Sequence, residues 1–97
     1  MFFLYKLIPP RPTFAQDMTE QERAIMQQHI EYWNNLVKDK IGVVFGPVFD
    51  PQGVWGLGIM EVDTPEAAER VSKEDPAIKT GLNTFELIPM RLGLIRS

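Results

Sequence analysis

The chain has 97 residues, a net charge of −3 and no cysteine, which fits a single domain over residues 1–97. The acidic balance argues against nucleic acid or an anionic membrane surface as partner. The lack of cysteine excludes disulfides, iron–sulfur clusters and thiolate zinc sites, fits a reducing compartment, and makes a cytoplasmic protein the expectation.

Residues 2–8, rich in aromatic and branched side chains, predict a first strand. The start "MFFLYKLI" falls well short of the ~20 apolar residues of a membrane span. It also lacks the basic region and cleavage pattern of a signal peptide. "PPRPTF", residues 9–14, breaks the strand, and its three prolines argue against a helix there. A helix opens at Thr19, where "TEQE" forms a capping box, and runs to about Val37, with Gly42 beyond its end. "GVVFGPVF", residues 42–49, predicts a second strand. "DPQG" is a turn, and "VWGLGIMEV", residues 54–62, closes a hairpin. Thr64 caps a short helix with Pro65 at its first position. "DPAIKTG", residues 75–81, is a turn or a single helical turn. Residues 83–95 predict a last strand in which Pro89 marks a bulge or an edge.

The order is βαββαβ. It predicts an α+β fold: a ferredoxin-like antiparallel sheet with two helices on one face. The strands are apolar on both sides, however. Phe3, Tyr5 and Leu7 oppose Phe2, Leu4 and Ile8, and Phe85 and Leu87 oppose Ile88, Met90, Leu92 and Leu94. Two helices cover only one face, so a second copy of the chain is the expected cover for the other, giving a homodimeric α+β barrel.

The only histidine lies in "IMQQHIEYW". At about 100° per residue, Ile25, Met26, Tyr32, Trp33, Leu36 and Val37 all fall within roughly 80° of His29. His29 therefore sits in the apolar stripe and needs a partner. A backbone carbonyl or water is one candidate. A metal is a poor one, since a lone histidine with no cysteine is a weak ligand set. Ser72 and Ser97 offer no nucleophile for a serine triad. A carboxylate would fix the tautomer and leave the other ring nitrogen to move a proton. Asp17, Asp39, Asp50, Asp63 and Asp75 are available. Asp75, before Pro76, is either a plain helix terminator or a device that aims a carboxylate. A pocket is expected between the second face of the sheet and the elements at its rim. Gly46, Gly56 and Gly58, inside strands, either bend the sheet or admit a ligand.

The motifs "HIEYW", "GVVFGPV" and "GLGIMEVDTPEAAERVSKEDPAIKTGL" together resemble the YCII-related proteins over roughly residues 20–90. The resemblance implies the dimeric α+β barrel, and His29 and Asp75 as the active-site pair. It further implies dehydrochlorinase- or isomerase-like proton transfer on a small cyclic or aromatic substrate without a cofactor. Tyr5, Trp33, Phe45 and Trp55, with the Gly46–Pro47 step, are the candidate walls for such a ligand. The connection before the histidine is longer than usual in the family, and its Arg11 either meets an anionic ligand or is simply solvated. The competing expectation is a non-catalytic dimeric binding or accessory module, with His29–Asp75 a buried polar tie.

Overall fold

The computed structural model describes residues 1–96; Ser97 lies outside the described residues. Strand β1 (Phe2–Ile8) is followed by a one-turn helix α1 (Phe14–Asp17) and the long helix α2 (Glu20–Lys38). The hairpin β2 (Gly42–Val48) and β3 (Trp55–Glu61) comes next, then α3 (Pro65–Lys73), α4 (Pro76–Lys79) and β4 (Thr84–Met90). The four strands form one antiparallel sheet in the order β2-β3-β1-β4, the ferredoxin-like arrangement. Among the described residues no helix is long and apolar enough to cross a membrane.

The helix starts follow local chemistry. The Thr19 side chain accepts from the Glu22 amide at 3.1 Å and the Glu22 carboxylate accepts from the Thr19 amide at 2.9 Å, completing the capping box. Thr64 caps α3 by accepting from the Ala67 amide at 3.0 Å.

Two elements depart from expectation. An extra helical turn, α1, begins at Phe14, where the proline segment ends, because Pro12 is its last proline. Beyond it the chain is free to coil, and Phe14, only 4% exposed, finds an apolar seat. The last strand stops at Met90 rather than running to residue 95. Met90 pairs with Phe2, the first residue of β1, so nothing remains for residues 91–96 to pair with. Pro89 sits in β4, an edge strand, where its missing N–H leaves no inner ladder bond unmade. A register shift between Gly42 and Val44 bends the start of β2.

Burial alternates along β1. Phe3, Tyr5 and Leu7 are buried beneath the helices, and Phe2, Leu4, Lys6 and Ile8 are only partly covered. Trp33 and Leu36 of α2, Met60 of β3, Ala68 of α3 and Ala77 of α4 complete the core on the helix side. Gly58 is required there. A Cβ at that position would lie 2.5 Å from the Trp33 ring, so the indole packs directly on the strand backbone. Register places Leu4, Ile59, Ile88 and Val44 together on the opposite face, with Phe2 and Met90 beside them. That face remains open enough to leave Val44 50% and Ile88 47% exposed.

Candidate functional site

His29 comes from the middle of α2 and Asp75 from the residue just before α4, and the packing of α4 against α2 brings them together. His29 Nδ1 lies 2.7 Å from Asp75 Oδ2. Asp75 is wholly buried. Pro76 holds the Asp75 backbone in the extended region, and its two oxygens divide the labour. Oδ1 accepts from the Ala77 amide at 2.9 Å and caps α4. Oδ2 turns inward, where it also accepts from the Tyr5 hydroxyl at 2.9 Å and the Trp33 indole N–H at 3.2 Å. Helix terminator and aimed carboxylate are thus both true of this residue.

The partners constrain one another. Burial, reinforced by the neighbouring Asp75 charge, drives the Tyr5 phenol far above its ordinary pKa, so it remains a donor. The indole and the Ala77 peptide N–H can only donate. With Nδ1 donating to Asp75, a neutral His29 ring carries its lone pair on Nε2, which makes no hydrogen bond to the described residues. Tyr32 supports the cluster from the side. Its hydroxyl donates to the Val71 carbonyl at 2.6 Å, and burial together with Glu74 and Asp75 raises its pKa to about 12.

His29 borders a cavity of about 280 Å3. The cavity does not lie on the second face of the sheet, where the sequence placed it, but beneath α1 and α2 on the helix-covered face. The reason is the pair of glycines in β3. Gly56 and Gly58 carry no side chain toward α2; Trp33 fills the space over Gly58, and Gly56 stays in the cavity wall. The walls are almost entirely apolar, including Leu7, Phe14, Met26, Trp33 and Phe45. Phe49, 80% exposed, and Ile30, 40% exposed, stand where the wall meets solvent.

The remaining sequence-predicted residues divide. Trp33 and Phe45 line the cavity with their rings 5.9 Å apart, and Gly46 and Pro47 border it. Trp55 borders it too, but its indole donates to Asp50 at 3.1 Å and lies under the Lys6 ammonium, 4.8 Å from the ring centroid. Arg11 does not line the cavity. Its guanidinium is committed to Asp17 at 2.8 Å and, through two nitrogens, to Glu22 at 2.8 and 2.9 Å. That clamp holds the Glu22 carboxyl down to about 2 and ties α1 to α2. Two polar features escaped the sequence. Tyr5 and Trp33 were read as walls only, although a buried phenol or indole needs a partner for its polar tip. Asn83, in "GLNTF", looked like an ordinary strand start, yet it is buried at the cavity.

A four-stranded antiparallel sheet in the order β2-β3-β1-β4 with helices packed on one face defines a ferredoxin-like α+β protein, here with a histidine–carboxylate pair beside an apolar cavity. The YCII-related domain profile matches residues 1–91, so the chain belongs to that family, and the match includes β1 as well as the motifs that carry the resemblance. Among solved structures, the chain resembles "5-chloro-2-hydroxyhydroquinone dehydrochlorinase (TftG) from Burkholderia phenoliruptrix AC1100", in complex with 2,5-dihydroxybenzoquinone. The TM-score is 0.70 at 23% identity over 96% of each chain, a likeness of fold. No curated protein matches the sequence.

The geometry separates the stability roles of the pair. Asp75→Ala leaves the indole, phenol, imidazole and peptide donors without their acceptor and is expected to cost about 3–5 kcal/mol. His29→Leu leaves Asp75 with its other donors and suits the apolar stripe, so a change within about 1 kcal/mol is expected. Thermal melts of both variants at one protein concentration check this, with about 4–8 °C per kcal/mol for a domain of this size.

Proposed function

We propose that the protein is a cofactor-independent enzyme in which His29 Nε2 moves a proton on a small hydroxylated ring, while Asp75, acting through His29, orients the imidazole. One observation supports this above the others: Nδ1 is held by a carboxylate whose other bonds all come from the core, and the remaining ring nitrogen is free beside the cavity. A positioned, partly desolvated imidazole of this kind is suited to general acid–base catalysis. The Trp33 and Phe45 rings provide apolar surface for a flat substrate. Removing a proton from a ring hydroxyl would place electron density on the ring. Returning a proton to a ring carbon that bears chlorine would give a keto tautomer, and net loss of one proton and one chloride would leave a quinone. Without a leaving group, the same movement of a proton is an isomerisation.

A non-catalytic binding module is the second reading. It is favoured by the engagement of Asp75 with β1, α2 and α4 together, which suffices as a structural tie. Chloride release from 5-chloro-2-hydroxyhydroquinone distinguishes the two. The enzyme reading expects release by the wild-type chain and a loss of at least about 100-fold in His29→Gln, with the variant still folded. Release no faster than in buffer, or unchanged in His29→Gln, would contradict it.

We infer also that two copies pair through the sheet face formed by Leu4, Val44, Ile59 and Ile88, since that face is apolar and half open. Sedimentation equilibrium at micromolar concentration should give about twice 11.1 kDa for wild type and 11.1 kDa for Ile88→Glu. A monomeric wild type would remove the inference.

A further inference from the structure

Asn83 stands immediately before β4 and is 5% exposed at the cavity wall. Its main-chain N–H donates to the Ala77 carbonyl at 2.8 Å, and the Ala77 N–H donates in turn to Asp75 Oδ1 at 2.9 Å. One residue therefore ties Asn83 to the carboxylate that holds His29. The Asn83 side-chain nitrogen donates to the Ile8 carbonyl at 3.2 Å. Only the amide nitrogen can donate to a carbonyl, so this bond settles which way the amide is turned. Oδ1 is left as an acceptor, and it is the one buried side-chain polar atom among the described residues without a hydrogen-bond partner. Folded proteins seldom leave such an atom unpaired.

The surroundings narrow what its partner is. The hydroxyl of Tyr5 and the indole N–H of Trp33, the other donors at this end of the cavity, are already given to Asp75. The cavity wall contains no lysine or arginine, and Arg11 is clamped elsewhere. The oxygen is nearly closed off, so bulk water does not serve it. Asn83 is itself one of the residues that line the cavity.

We propose that Asn83 is a specificity-determining residue: its Oδ1 accepts a hydrogen bond from a ligand hydroxyl, so the pocket selects an uncharged ring with two hydroxyls, one for His29 Nε2 and one for Asn83. This rests on the reading of the cavity as a ring-binding site beside His29. A buried acceptor discriminates strongly, because a ring that lacks the donor leaves the acceptor unpaired in the complex. A carboxylate or ether in that place offers no proton and is rejected for the same reason.

The test compares hydroquinone with 4-fluorophenol by calorimetry on the full chain under argon. Fluorine is close to a hydroxyl in size and donates nothing. Wild type is expected to prefer hydroquinone at least about tenfold, and Asn83→Leu to bring the two within about twofold. Equal affinities in wild type overturn the proposal even if the leucine variant fails to fold. A preference that survives in a folded Asn83→Leu also overturns it, because another group then reads the hydroxyl. Failure of both rings to bind wild type overturns the ring-ligand reading and this proposal with it. A tenfold preference without chloride release sustains the role of Asn83 and removes only the catalytic reading.

Discussion

A carboxylate with no exposure to water must find all its partners inside the protein, and Asp75 finds them on three elements. β1 sends Tyr5, α2 sends His29 and Trp33, and the first turn of α4 offers the Ala77 amide. An unpaired buried carboxylate is among the most expensive features a fold can contain, so these elements are held in one mutual arrangement. Much else follows from meeting that demand. Trp33 reaches Asp75 because Gly58 lets its ring lie on the strand backbone. Tyr5 reaches it because strand alternation turns residues 3, 5 and 7 toward the helices. The cavity is the space that remains once Trp33 has been drawn down over β3.

The site gains its chemical character from the same shortage of polar groups. The side-chain donors of the cavity wall are committed elsewhere, those of Tyr5, Trp33 and His29 Nδ1 to Asp75, that of Trp55 to Asp50 and that of Asn83 to the Ile8 carbonyl, which leaves apolar walls, one ring nitrogen of His29 and the oxygen of Asn83. In such a weakly polar space each remaining electrostatic contact counts for more than it would in water. The Arg11 clamp belongs to the same design, for it fixes α1, and with it Phe14, over the cavity without adding a charge to the wall.

How much of this was legible in the sequence depends on the range of the interaction concerned. The capping box at Thr19, the cap at Thr64 and the alternation in β1 are local patterns, and they were readable directly. The βαββαβ order then determines the sheet. The helical stripe showed that His29 is inside. The choice of Asp75 among five aspartates came from family resemblance, since nothing local marks it beyond the following proline. What escaped depends on distant partners. The end of β4 is set by where β1 begins, at the other end of the chain, as the Phe2–Met90 pairing shows. The face that bears the cavity is set by how Trp33 meets two glycines on another element. Arg11 looked free because its partners, Asp17 and Glu22, are carboxylates that a charge count cannot assign.

The central claim is that Asp75 fixes the imidazole, with the proton on Nδ1 and the lone pair on Nε2. As His29 is the only histidine, nitrogen-15 NMR of the imidazole side chain reports on it without ambiguity. At a pH where the ring is neutral, the account predicts a protonated, pyrrole-like Nδ1 and an unprotonated, pyridine-like Nε2, with the Nδ1 proton slow to exchange. A neutral ring protonated on Nε2, or one averaging between the two tautomers, would contradict it.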